Sequence, residues 1–209
     1  LKDRDQELEA AIAQRRANPT DDLATVIANG TVDGELMGDA ERLWYYIIVA
    51  TAGHDTTSFA LAGGMAELAQ DPSQLWAMRD DPDLLLTGTD EIIRWTAPVR
   101  HFMRHAAEDV EVNGLEIPKG GRVLLSYPSA NRDEDVWPDA DVFDVRRPDA
   151  DKLISFGMGA HFCLGAPLAM AQLRLALDAL LAHPGLSIGR RRPARGVLIP
   201  SYAELGVRA

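Results

Sequence analysis

The sequence holds a single cysteine, Cys163, among 209 residues. A lone thiol cannot close an intramolecular disulfide, so a reducing cytoplasm is the expected setting. Basic residues are also scarce: 21 Lys and Arg stand against 32 Asp and Glu, a formal net charge of −11. That balance argues against nucleic acid or an anionic membrane as a partner. Long apolar runs are missing. The longest, "LWYYIIVATAG" at 43–53, falls short of the ~20 residues that span a bilayer and ends in His-Asp, so no membrane anchor is expected. No secretory leader pattern, repeat or low-complexity tract is visible. An initial methionine is missing too, and the chain opens in a charged helical pattern, "LKDRDQELEAAIAQRR". The expectation is an entry point inside a longer polypeptide. What remains, 46% hydrophobic and 25% charged, is the composition of a chain that buries a core.

Periodicity and breakers lay out a mostly helical order. A first helix over about 2–17 ends before Asn18-Pro19, and a short one near 21–29 stops at Gly30. Asp39 caps a long apolar helix reaching about Gln70, closed by Asp71-Pro72. "PSQLWAMRDD" makes a short helix, and another runs from about Leu84 to Ala97, before Pro98. The pattern then changes, because "DVEVNGLEIPKGGRVLLSY" alternates around Asn113-Gly114, a hairpin signal. Residues 128–153 are rich in Asp, Arg and Pro without clear periodicity and read as an ordered loop. A last helix, "LGAPLAMAQLRLALDALLAH", starts beside Cys163 and ends at Pro184; weak strands and a basic patch, Arg190–Arg192, come after it. The class is mainly α with a small β-sheet.

Three stretches carry chemistry. "FGMGAHFCLG" sets Cys163 among Gly157, Gly159 and Gly165, which permit positive φ or close approach to a bulky ligand. A small buried core cysteine is one reading; a thiolate at a helix N-terminus, acting as metal ligand or nucleophile, is another. Cys163 with His161 could also be a hydrolase pair, although two residues apart on one loop is a poor catalytic spacing. A dinucleotide loop fails, since Phe162 stands where a third glycine belongs. "AGHDTT" places Asp55, Thr56 and Thr57 in the middle of an apolar helix, where an acid and hydroxyls need partners or a function. Gly53 beside them weakens the helix and can open a pocket there. "EIIR" sets Glu91 and Arg94 on one helix face, by itself no more than a surface pair. His101 and His105, four apart, lack the further ligand that zinc needs.

In this order the three motifs resemble the cytochromes P-450, the haem-thiolate monooxygenases. The likeness covers the chain as the C-terminal half of that fold, so residues 1–209 are expected to be the C-terminal part of one catalytic domain. "IIRWTAPVRHFMRHA" and "LLSYPSANRDEDVW" are most similar to soluble bacterial members that hydroxylate terpene alcohols such as terpineol. The resemblance implies Cys163 as the axial thiolate of a haem b iron, Phe156 packed by the sulfur, and Gly157, Gly159 and Gly165 bringing N–H groups toward it. It implies Asp55 and Thr56 as the acid–alcohol pair that relays protons toward dioxygen, flanked by Ala52 and Gly53. Arg104 and His161 match partners of the haem propionates, and Val99 and Phe102 match pocket-lining positions. Glu91 and Arg94 match a buried structural pair whose third member fits Arg147, with Arg146 adjacent. The chain departs at Met170 and Gln172, where a basic residue and a glutamate are common on the face that electron donors approach, at Leu153, where a histidine is common, and in Thr87-Gly88-Thr89, poor helix formers.

The activity so implied is hydroxylation of a small hydrophobic, terpenoid-like substrate by dioxygen. Its electrons would come from NAD(P)H through a ferredoxin reductase and an iron–sulfur ferredoxin, to a monomer in the cytoplasm. Two alternatives remain beside it. One is a haem-binding module or inactive fragment that does not oxygenate; the other is a Cys163 thiol hydrolase, which leaves the helix motif and Glu-x-x-Arg unexplained.

Overall fold

A computed structural model describes residues 2–183, 185–194, 196 and 198–208. Pro184, the expected end of the last helix, lies outside the described residues, as do the side chains of Arg190 and Arg191 in the basic patch. The chain forms two compact units, 1–54 and 55–209, and one long helix runs through the boundary.

The first unit contains α1 (Lys2–Ala17), α2 (Leu23–Ala28), a ribbon of β1 (Thr31–Val32) with β2 (Glu35–Leu36), and the start of α3 (Asp39–Leu68). Asp22 caps α2 by accepting from Thr25 N at 2.7 Å and pairs with Arg15 Nε at 2.9 Å. The Thr25 N–H, then the Thr20 hydroxyl, hold its carboxyl far below the usual range. α3 rests on α2 through Tyr46, whose hydroxyl donates to Ala24 O at 2.6 Å.

The second unit takes over at Asp55. After α3 come α4 (Pro72–Asp80), capped by Asp71 at Ser73 N, and α5 (Leu84–Thr96). Ala97, in the left-handed region at φ 36°, ends α5 just ahead of Pro98. β3 (His101–His105) pairs antiparallel with β6 (Arg122–Ser126). Between them β4 (Val110–Val112) and β5 (Leu115–Ile117) form the expected hairpin, with Asn113 and Gly114 both at positive φ. A one-turn helix α6 (Tyr127–Ala130) leads into the long loop. α7 (Ala166–Leu181) comes next, and β7 (Ser187–Ala194) pairs with β8 (Ser201–Arg208). The sheet is therefore a set of separate two-stranded ribbons among helices.

Two apolar clusters hold this unit. One joins Met65 and Leu68 of α3, Leu75 and Met78 of α4, Ile92 of α5, and Leu177 and Leu181 of α7. The other joins Ala60 of α3, Ile93 of α5 and Leu173 of α7, with Leu153, Phe156 and Met170 packed against them. Leu153 and Met170, two of the departures from the family pattern, are thus spent on packing. The poor helix formers in α5 have a similar explanation. A Cβ at Gly88 would stand 2.9 Å from Met78 Cε and 3.3 Å from Val145 Cβ, so glycine lets both approach the helix closely. Thr87 and Thr89 send their hydroxyls to Val145 O and Leu85 O. α3 continues through Gly53, since one glycine costs only ~1 kcal/mol against 30 residues of helix, and a Cβ at Gly53 would meet no atom within 4 Å.

Candidate functional site

The site is built on a buried charge cluster. Glu91 and Arg94, three apart on α5, meet across one turn with both side chains fully buried, Arg94 Nε 2.6 Å and Nη2 2.8 Å from the two carboxylate oxygens. This is the bidentate geometry that a guanidinium offers a carboxylate. Arg147 Nε reaches Glu91 Oε2 at 3.1 Å, whereas the adjacent Arg146 is exposed. The remaining N–H groups of both arginines fall on main-chain carbonyls. Arg94 donates to those of Asn131, Ala140 and Val142, and Arg147 to those of Pro138, Asp139 and Val142. One carboxylate and two guanidinium groups thereby fold residues 131–147, which is why a stretch without periodicity is ordered. Arg94 also lies between the rings of Trp95 and Trp137, at 5.7 and 5.4 Å. Arg132 covers the other part of Trp95 at 4.4 Å, and burial, then the charge of Arg94, lowers its pKa from the ordinary arginine value.

From this cluster the structure leads to the cysteine loop through a residue that periodicity could not find. Asn131 is fully buried, and its amide donates to Arg94 O at 3.1 Å and to Ser155 Oγ at 2.7 Å, while its carbonyl oxygen accepts from Ile154 N at 3.1 Å. Ser155 in turn donates to Ile93 O at 3.0 Å. The loop proper then closes on itself by Gly157 N to Ile154 O and Cys163 N to Phe156 O, each 2.8 Å. Gly157 and Gly159 take φ of 75° and 65°, conformations in which a side chain is strained.

Cys163 is exposed, which removes the reading of a buried core cysteine. Around it in the loop Met158, Phe162 and Leu164 are also exposed, at 75, 55 and 76%. Phe156, half-buried in the second cluster, lies 6.3 Å from the Phe162 ring. A Cβ at Gly165 would stand 3.9 Å from the Cys163 Sγ. An apolar rim of this kind marks a surface built to be covered. A flat macrocycle with an iron at its centre fits these donors: a reachable sulfur, apolar side chains about it, and glycines that admit close approach.

The structure also places the other candidate residues. Arg104 of β3 sits 5.9 Å over Phe102, Phe102 is edge-on to Tyr127 at 6.1 Å, and the Tyr127 hydroxyl lies 3.6 Å from where a Gly157 Cβ would be. Phe102 thus borders Tyr127, and Tyr127 borders the cysteine loop, a buried intermediary that no sequence pattern marked. His161 ends the short turn Gly159–His161 and is exposed; Val99 is half-buried beyond the end of α5. Asp55 is exposed and Thr56 half-buried on α3, one turn before the buried Ala60 that packs in the cluster of Phe156. Ala52 and Gly53, in the first unit, are exposed residues of the same helix. Gln172 is exposed on α7. Among the described residues no three His, Cys, Asp or Glu side chains converge on a metal position, so His101 and His105 gain no third ligand. No described helix is long and apolar enough to cross a membrane.

Comparison with known proteins gives the family. The model of the cytochrome P450 family matches residues 1–190, and the chain belongs to that family. It is 45% identical over 167 residues to cytochrome P450-terp of a Pseudomonas species, a match that covers 80% of this chain and 39% of that protein. It is 40% identical over 166 residues to linalool 8-monooxygenase of Pseudomonas putida, covering 79% of this chain and 41% of the relative. In structure it is similar to CYP108D1 of Novosphingobium aromaticivorans, with a TM-score of 0.91 and 42% identity over 98% of this chain and 50% of that one. The chain thus spans less than half the length of these curated relatives.

Proposed function

We propose that the protein, at full length, is a haem-dependent monooxygenase that hydroxylates a small hydrophobic, terpenoid-like molecule. One oxygen atom of dioxygen enters a C–H bond and the other leaves as water, with two protons and two electrons consumed. The electrons come from NAD(P)H through a ferredoxin reductase and an iron–sulfur ferredoxin, and the protein works as a cytoplasmic monomer. The observation that carries this reading is the exposed Cys163 sulfur on a loop turned by positive-φ glycines, rimmed by apolar side chains and tied to a hydrogen-bonded buried framework.

A bound haem b supplies the oxygen-activating chemistry. In this reading Cys163 would hold its iron as a thiolate, with Phe156 packed beside it. Arg104 and His161 meet the anionic propionates. Asp55 and Thr56 move protons one at a time from solvent inward: the carboxyl of Asp55 exchanges with water and the Thr56 hydroxyl passes the proton on. Val99 and Phe102 line the substrate side, and the Glu91–Arg94–Arg147 cluster keeps the scaffold in place. The likeness to cytochrome P450-terp and to linalool 8-monooxygenase supports the substrate class.

The test is a carbon monoxide difference spectrum of the reduced full-length protein. The parent is expected to show the Soret band of a thiolate complex and Cys163→Ser to lose it. Thr56→Ala is expected to keep the band while turning oxygen consumption from product to peroxide. A thiolate-type band that survives in the serine variant, or unchanged coupling in T56A, would overturn the respective assignment.

A further inference from the structure

We infer that Asn131 is a positioning residue for the Cys163 sulfur, the link through which the buried charge cluster sets the register of the cysteine loop. The inference rests on Cys163 being the iron ligand. Asn131 and Arg94 are bound reciprocally: the Arg94 guanidinium donates to the Asn131 carbonyl at 2.6 Å, and the Asn131 side-chain amide donates to the Arg94 carbonyl at 3.1 Å. The same side chain holds the two residues that start the loop. Its oxygen takes the Ile154 N–H, and its nitrogen donates to the Ser155 hydroxyl.

Those two residues fix the path of the loop. Ile154 supplies the carbonyl that turns the chain at Gly157, and Phe156, next after Ser155, supplies the carbonyl that receives the Cys163 N–H. Ser155 has no freedom to compensate, because its own proton is committed to Ile93 O. The amide is suited to this task because it offers two donors and an acceptor in one plane. Each of them is used, at zero exposure. Asn131 thus joins the cluster of Arg94 to the segment Ile154–Ser155 by direct bonds at both ends. A framework that is rigid at one end and a sulfur that must be held to a fraction of an ångström at the other need such a connection.

Asn131→Asp is nearly the same shape but replaces both donors by an acceptor facing the Arg94 carbonyl and Ser155 oxygen. In the haem-loaded full-length protein it is expected to lose haem about 10–100-fold faster. It is also expected to shift the Soret band of the reduced carbon monoxide complex toward that of a protein without thiolate, and to raise the reduction potential. Ser155→Ala, which removes one hydroxyl and keeps the rest, is expected to move all three readouts the same way by less, and it carries the test if N131D does not fold. Leu177→Ala, a cavity in the other apolar cluster, serves as the control that lowers Tm without touching the loop. If N131D and S155A behave like L177A, with Tm lowered but band, potential and haem loss as in the parent, the positioning role is overturned. If the parent itself shows no thiolate band, the assignment of Cys163 fails first and this inference with it. A parent band with unmoved variants sinks the inference alone.

Discussion

Glu91 and Cys163 lie in one compact unit, and the chain around them treats them in opposite ways. The carboxylate has no exposure, two guanidinium partners and a main-chain N–H, and nearly every neighbour it has is held in turn by something else. The thiol is exposed, its loop is closed by two short backbone bonds, and its flanking side chains face outward. Charge is buried where nothing happens chemically, and the reactive atom stands where a large ligand can reach it. The pairing teaches a division of labour. Over-determination below lets an open loop above keep one shape, with glycines at the two positions where any other residue would be strained.

The largest expected effect comes from breaking the buried side. Glu91→Ala leaves two guanidinium groups buried without their carboxylate, and the loss is expected to be about 3–5 kcal/mol, a large fraction of the ~5–15 kcal/mol that holds a typical domain folded. Soluble yield and urea denaturation of the full-length protein measure it. The open side should yield more gently. Gly157→Ala forces a Cβ into φ 75°, 3.4 Å from the His161 carbonyl, and is expected to cost about 1–2 kcal/mol and to lower haem content with the helical circular dichroism intact. If instead G157A unfolds the protein as completely as E91A, the framework and the loop stand or fall together.

The smallest effect sharpens the comparison by testing a half-buried acid outside both. Burial, opposed by Arg174 and reinforced by Asp151, raises the pKa of Asp90 on α5. A carboxyl raised on folding costs nothing below its ordinary range and burdens the fold as pH rises through its raised value. Asp90→Asn is therefore expected to melt slightly higher than the parent at pH 7, with the gap closing below about pH 4. A gap that grows on acidification would reverse the assigned sign.

Much of the helical order was legible in the residues alone. α5 ends where "TAP" says it should, because Ala97 must turn before Pro98, and Asn113-Gly114 makes its hairpin for the same local reason. What local patterns could not reach is tertiary. β3 and β6 pair across an intervening hairpin, so neither strand carries a sign of its partner. Arg146 and Arg147 are equal as letters, and only the fold turns one inward. Asn131 sits in a stretch without period, and its worth comes from groups 23, 24 and 37 residues away. The exposure of Cys163 was legible only indirectly: a lone cysteine is most often buried, and its glycines, its place before a helix and the family resemblance pointed the other way.

Arg79 of α4 grips the end of α7 by donating to the carbonyls of Leu181 and His183, contacts that bridge 102 and 104 residues. Leu177 and Leu181 of the same helix complete the apolar cluster begun by α3, α4 and α5. During synthesis, therefore, three helices leave the ribosome with their apolar faces made and the helix that closes them still untranslated. At ~5–20 residues per second, roughly 100 residues separate the opening of that core from its closure by several seconds. Until then Met65, Leu68 and Met78 lack the packing that Leu177 and Leu181 supply.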